Sequence, residues 1–163
     1  MSRCYLDTNF LYAHLRDPRD GSAALMEEWR DRVVKEIAND SGVISALVID
    51  EIAYRLVLAW LRDDGDQDPL STYRRDPGRV MRAMPHRLAV IWRSIDSLEL
   101  ELEQTNLATV NQAKGLMSKP GLAPRDAFHA AHAIRASCSV IVSSDSEFDR
   151  LKEIRRVGPR AAC

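Results

Sequence analysis

The sequence predicts an α/β fold in which a parallel sheet, joined by right-handed crossovers, is covered by helices on both faces. Short apolar runs of strand length alternate with longer stretches of helical periodicity, and polar or acidic residues follow the runs directly. The clearest of these runs, Val140, Ile141 and Val142, is uninterrupted, as in a strand buried on both faces.

Cys4, Tyr5 and Leu6 form the first buried strand, which stops at Asp7, Thr8 and Asn9. After a turn cluster of Asp17, Pro18, Arg19, Asp20 and Gly21, the residues Met26, Trp29, Val33 and Ile37 recur at steps of three and four. That spacing makes an amphipathic helix. Gly42 opens a second strand of Val43, Ile44 and Ser45, which runs without a break into a helix from Ala46 to about Arg62. Asp63, Asp64, Gly65, Asp66, Asp68 and Pro69 then read as an exposed loop. Beyond it Pro77 is placed to start a helix and Pro85 to interrupt it, so two short helices are expected. Leu98, Leu100 and Leu102 alternate with Glu99, Glu101 and Glu103, the period of a strand with one acidic face at a sheet edge. Thr105 to about Met117 forms another helix, closed by Lys119, Pro120 and Gly121. Pro124 begins an Ala-rich helix carrying Ala127, Ala130, Ala131, Ala133 and Ile134. After the Val140 strand, Ser144 and Glu147 have the spacing of a capping box that starts one more helix, and Ile154 to Val157 supplies a last strand.

Composition narrows the class. The 163 residues hold 23 Lys and Arg against 24 Asp and Glu, with 45% hydrophobic and 29% charged residues, which suits one domain over 1–163. A disordered tail and a disulfide scaffold are excluded on this basis. The net charge of -1 provides no global field to attract nucleic acid, so partners have to be sought locally. Cys4, Cys138 and Cys163 stand in no C-x-x-C pattern, which fits reduced thiols and argues against zinc ribbons and secretion. No apolar run approaches the ~20 residues needed to span a bilayer, and no signal peptide is visible. A cytoplasmic setting is expected.

Ligands of open parallel sheets bind beyond the carboxyl ends of the strands. Asp7 and Asp145 directly follow strands, Glu51 lies in the helix after the second strand, and Asp126 starts the Ala-rich helix. Asp149, one turn after Asp145, is a fifth candidate. Plainer roles are open to each: a turn cap for Asp7, a helix dipole for Asp126, an i, i+4 pair with Arg55 for Glu51. Asp145 can sit in a first turn capped by Ser144, and Asp149 can be a solvated charge. Brought together without cations, such carboxylates repel one another, and a hard divalent cation is the natural compensation. Oxygen ligands suit Mg²⁺ or Mn²⁺, and that chemistry points to phosphodiester hydrolysis by an activated water.

Tyr5-Leu6-Asp7-Thr8-Asn9, Ser45 with Glu51, Pro124-Arg125-Asp126-Ala127, and Ser143-Ser144-Asp145-Ser146-Glu147-Phe148 together resemble the ordered motifs of PIN-domain ribonucleases. Within them the sequence is most similar to VapC-like toxins of bacterial toxin-antitoxin pairs. The resemblance covers nearly the whole chain apart from residues 63–95, which read as a basic helical insertion. It implies a three-layer α/β/α sandwich, Mg²⁺- or Mn²⁺-dependent RNA cleavage, a homodimer and a small cognate antitoxin. Carried over residue by residue, it implies Asp7, Glu51, Asp126 and Asp145 as the catalytic quartet. Asp7, Asp126, Asp145 and Asp149 would hold the metal, and Asn9 and Ser143 would support the acids by hydrogen bonding. Ser143 stands where the family commonly has Thr, and the 63–95 segment is longer than in compact members.

Between Ser71 and Arg93, six arginines (Arg74, Arg75, Arg79, Arg82, Arg87 and Arg93) face Asp76 alone, a local excess of five positive charges. An RNA-phosphate contact, a solvated face, or a dimer or antitoxin contact each fits this segment. His129 and His132 lack the i, i+4 spacing of a helical zinc pair and read as core or surface residues. Trp29 and Trp60 read as core, and Trp92 is open. Other readings are an RNA-processing nuclease without an antitoxin and a catalytically silent RNA- or protein-binding module. An aspartyl phosphatase is disfavoured, because Asn9 occupies the position of its second Asp.

Overall fold

The computed structural model describes residues 2–16, 23–37 and 40–159. The expected turn cluster at 17–21 and Cys163 lie outside the described residues. The elements run β1 (Arg3–Leu6), α1 (Thr8–Leu15), α2 (Ala23–Glu36), β2 (Ser41–Ser45), α3 (Ala46–Asp63) and α4 (Pro69–Arg75). They continue with α5 (Pro77–Arg82), α6 (Pro85–Asp96), β3 (Glu101–Glu103), α7 (Leu107–Ser118), α8 (Pro124–Arg135) and β4 (Val140–Val142). A short 3-10 helix (Ser146–Arg150) then leads to β5 (Arg155–Val157).

All pairings among these strands are parallel, in the order β3-β2-β1-β4-β5, and the fold is a three-layer α/β/α sandwich. β1 is central, paired with β2 through Cys4 and Gly42 and with β4 through Cys4 and Val140. Its side chains alternate between the layers, as the strand period requires. Tyr5 points toward α8, where it meets His129, and Leu6 lines a recess beneath α1 and α2 with Phe10, Leu11 and Val33. The alanines of α8 explain how that helix lies so close to the sheet. Ala127, Ala130, Ala131 and Ala133 are fully buried, and α8 contacts α7, β1, β2 and β4. Filling this contact by Ala131→Leu should cost about 1–3 kcal/mol of stability, measurable by urea unfolding.

Three expectations are corrected in detail. The 63–95 segment holds three helices, each opened by a proline at its first turn, where the missing N–H costs nothing. Asp68 and Asp76 cap α4 and α5 by accepting backbone N–H bonds from Ser71 and Arg79. The leucine-glutamate alternation becomes a strand only at Glu101–Glu103, the edge β3. Before it the chain turns through Glu99 at φ 50°, which lets Leu98 and Leu100 pack on the core and leaves Leu102 60% exposed. Finally, Asp145 and not Ser144 caps the helix after β4, and that helix is 3-10.

Trp29 is buried and donates its indole N–H to the Val157 carbonyl, while Trp60 and Trp92 are partly buried against apolar clusters. Cys4 and Cys138 are buried free thiols, both pushed up to about 12 by burial, so they stay protonated. Among the described residues no helix is long and apolar enough to cross a membrane.

Candidate functional site

From β1 the chain first moves outward through β2 to β3, then returns to the other side of β1 to form β4 and β5. The crevice at such a reversal, beyond the carboxyl ends of the strands, is where open α/β sheets take ligands. Asp7 stands at that point. Its N–H still donates to the Val142 carbonyl of β4 (3.1 Å), and its side chain caps α1 by accepting from Thr8 N–H (2.8 Å). The other carboxylate oxygen accepts from Asn9 Nδ2 (3.1 Å) and from Ser143 Oγ (2.6 Å). Only 4% of Asp7 is exposed, so three donors hold a nearly dry carboxylate in one orientation.

Ser143 links two acids, because its Oγ also accepts the Asp145 N–H at 3.0 Å. Asp145 in turn accepts from Glu147 N–H (2.8 Å), which satisfies the free end of the 3-10 helix. Glu51 enters from α3. Its Oε2 accepts from Thr8 Oγ1 (2.7 Å) and lies 3.1 Å from His129 Nε2, while Oε1 faces Arg125 Nη1 at 3.2 Å. Burial raises the Glu51 carboxyl, but the bonds from His129 and Thr8 and the Arg125 charge outweigh it and hold the group below its ordinary range.

A carboxylate only accepts, so the network puts a proton on His129 Nε2, and Nδ1 lies 3.0 Å from the Tyr5 hydroxyl oxygen. The Ser45 hydroxyl, 2.7 Å from the Tyr5 oxygen, completes a buried chain from Ser45 through Tyr5 and His129 to Glu51. Burial pushes the Tyr5 phenol up, so it remains a donor. His129 Nε2 is also 3.7 Å from Asp7, and ligand atoms of Asp7, Glu51 and His129 all lie within 4.8 Å of one another.

Asp126 occupies the first turn of α8, which runs back along the sheet from its carboxyl edge. Burial raises its pKa first, followed by the negative charge of Asp145, with Asp7 and Glu51 adding to it and His129 opposing. A folded pKa above the unfolded value favours folding at low pH, and that contribution is lost as pH rises through the folded pKa. At pH 7 without divalent ions the ionised Asp126 therefore opposes the fold. Asp126→Asn should raise the thermal midpoint of the chelator-treated protein at pH 7 and lose this advantage near pH 3. Equal midpoints at pH 7 would contradict the crowding.

The structure thus brings Asp7, Glu51, Asp126 and Asp145 to one edge of the sheet. Asp149 is placed differently: it is exposed and pairs with Arg156 through two bonds of 2.8 Å, which lower its pKa. Arg55 does not pair with Glu51. It donates to Asn9 Oδ1 (2.7 Å) and lies over the Tyr12 ring at 4.3 Å. His132 is buried near Thr105, away from the acids. Sequence reasoning missed Tyr5, Thr8, Arg125 and His129. Thr8 and Arg125 adjoin Asp7 and Asp126 in the chain, and His129 lies one turn beyond Asp126 on the same helix face, a spacing that was visible.

Known proteins share this arrangement of the chain. DNA-bound VapBC from Salmonella typhimurium is 22% identical, with a TM-score of 0.54 over 96% of this chain and 97% of that one. VapBC2 from Rickettsia felis, bound to a DNA fragment from its promoter, is 15% identical with a TM-score of 0.54, covering 96% and 98%. VapC20 from Mycobacterium tuberculosis, described as a sarcin-ricin loop cleaving toxin, is 14% identical with a TM-score of 0.51, covering 93% and 98%. At these identities the likeness is one of fold. No curated protein matches the sequence. Residues 4–154 match the PIN domain family, a span that runs from β1 past the 3-10 helix and contains all four clustered acids, so the chain belongs to that family.

Proposed function

We propose that this protein is a divalent-metal-dependent endoribonuclease acting as the toxin of a toxin-antitoxin pair. The observation that carries the reading is the convergence of Asp7, Glu51, Asp126 and Asp145 at the reversal point of a PIN-domain sheet. VapBC assemblies and a VapC toxin among the structural neighbours support the toxin assignment and a small antitoxin partner. A homodimer, a cytoplasmic setting and a single domain with the 63–95 insertion belong to the same reading.

The residues fit a hard divalent cation. Their donors are mainly carboxylate oxygens, and Asp126 carries a charge conflict with Asp145, Asp7 and Glu51 that a cation would relieve. Asp7, Asp126 and Asp145 would hold Mg²⁺ or Mn²⁺; Asp149 would join them only on releasing Arg156. Such an ion, when bound, lowers the pKa of a water and offsets charge developing on the phosphate. The protein's own part is positional. Asn9 and Ser143 fix the Asp7 oxygens, and Glu51, kept ionised by His129, Thr8 and Arg125, can accept a hydrogen bond that orients the attacking water. Arg125, whose side chain is 67% exposed, can meet the scissile phosphate.

Induced expression in the host tests the biological half of the proposal. Growth should stop, discrete new RNA ends should appear, and co-expression of a small neighbouring gene should relieve both. RNA cleavage without arrest would favour an RNA-processing nuclease, and neither effect would favour a silent binding module.

A further inference from the structure

We infer that the α4–α5 part of the insertion is the binding surface for single-stranded RNA leading into the acidic site. The inference rests on the nuclease reading above and adds where the strand lies. A recess of about 290 Å³ runs between α3 and the insertion, lined by Asp50, Ala53, Tyr54, Tyr73, Met81 and Arg125, with Val57 at its base. Arg125 makes it continuous with the acids, because its guanidinium is 3.2 Å from Glu51. At the other end Tyr73 of α4 meets Tyr54 of α3 edge to face, with ring centroids 5.4 Å apart. Both tyrosines are half-buried.

α4 and α5, which contribute Tyr73 and Met81 to the recess, also carry charge that suits a phosphate backbone. Arg74, Arg75, Arg79 and Arg82 on α4 and α5 are exposed, and among the described residues none has an ion-pair partner. Asp68 feels the charges of Arg75 and Arg74 and Asp76 caps α5, but two carboxylates against four guanidinium groups leave a positive excess. Arg87 differs, being held by Asp64 in two bonds of 2.8 Å. Val57, Val80, Met84 and Leu88 form a small apolar core that seats the insertion on α3, so the arginines stand on an ordered platform. A recess of this size has room for one unpaired base. Aromatic faces beside a basic surface are the common means of holding unpaired RNA.

Binding of a fluorescein-labelled, unstructured oligouridine in chelator, where no cleavage occurs, tests the inference by anisotropy at several salt concentrations. The combined Arg74→Gln, Arg75→Gln, Arg79→Gln and Arg82→Gln variant should bind at least about tenfold more weakly at low salt. Its salt slope should fall by about two to three, near 0.7 per lost phosphate contact. Tyr73→Leu should weaken binding about tenfold with the slope unchanged, and a thermal melt confirms that each variant is folded. Wild-type-like affinity and slope in the arginine variant, with cleavage by the wild type intact, would overturn this inference and leave the nuclease reading standing. Polyglutamate, titrated in parallel as an acidic-protein probe, gives a second reading: if the arginine variant loses polyglutamate binding but retains RNA binding, the inference is overturned in favour of an acidic protein partner. Neither binding nor cleavage by wild type would overturn both.

Discussion

Asp7→Asn is expected to lower RNA cleavage by at least about a thousandfold while leaving the protein folded. The carboxylate stands at the end of β1, 4% exposed, and accepts from Thr8, Asn9 and Ser143. An amide has the same shape and keeps one acceptor, but its NH₂ faces donors. The Ser143 hydroxyl can rotate to accept, whereas the Asn9 amide is held in place by Arg55, so the stability cost should be about 1–2 kcal/mol. In chelator part of that cost is offset, because Asp7 adds to the negative field on Asp126. Divalent-ion stabilisation, read as the rise in thermal midpoint on adding Mn²⁺, should shrink together with activity. Full activity in a folded Asp7→Asn protein would remove Asp7 from the proposed site.

His129→Ala should produce the second-largest effect, about 3 kcal/mol of lost stability and roughly ten- to a hundredfold slower cleavage. The ring is buried, and its removal leaves the Tyr5 hydroxyl with Ser45 as its remaining partner and Glu51 Oε2 without one of its two donors. Glu51 then moves up from its lowered pKa. A carboxylate with a lowered folded pKa contributes stability above its unfolded pKa and loses it as pH falls through the folded one. The variant should therefore unfold at a higher pH on acid titration than the wild type. His129→Gln, whose amide retains a donor toward Glu51, should recover part of the cleavage rate. Equal rates for the Ala and Gln variants would show that His129 only fills space.

Much of the architecture is written locally in the chain. β1, β2 and β4 each contain a short run, Cys4 to Leu6, Val43 to Ser45 and Val140 to Val142, ended by polar residues, and parallel pairing then carries Asp7 and Asp145 to one edge. Where several local signals competed, packing decided. The alternation at 98–103 became strand only where β2 offered a partner, and Leu98 and Leu100 were drawn into the core. Pro69, read as part of a loop, opens a helix because Asp68 caps it. The candidate site shows the same division. Asp7, Asp126 and Asp145 were visible as strand-end or helix-start residues and Glu51 by its place in the helix after the second strand, but the choice of Arg125 over Arg55 as the cation for Glu51 depends on how α3 and α8 meet. His129 was undervalued for the same reason: whether a helical histidine meets core or carboxylate depends on its neighbour across the helix interface. Asp149 shows the converse, since the cation that claims it, Arg156, comes from β5.

The activity proposed for the four clustered acids is metal-dependent cleavage of RNA. Incubating purified, antitoxin-free protein with total RNA from its host in Mg²⁺, Mn²⁺ and chelator, and mapping the new RNA ends, tests it most directly. Discrete cleavage that requires the metal and is absent with Asp7→Asn is the predicted result. No cleavage by the folded wild type in either metal, or cleavage that persists in chelator, would contradict it.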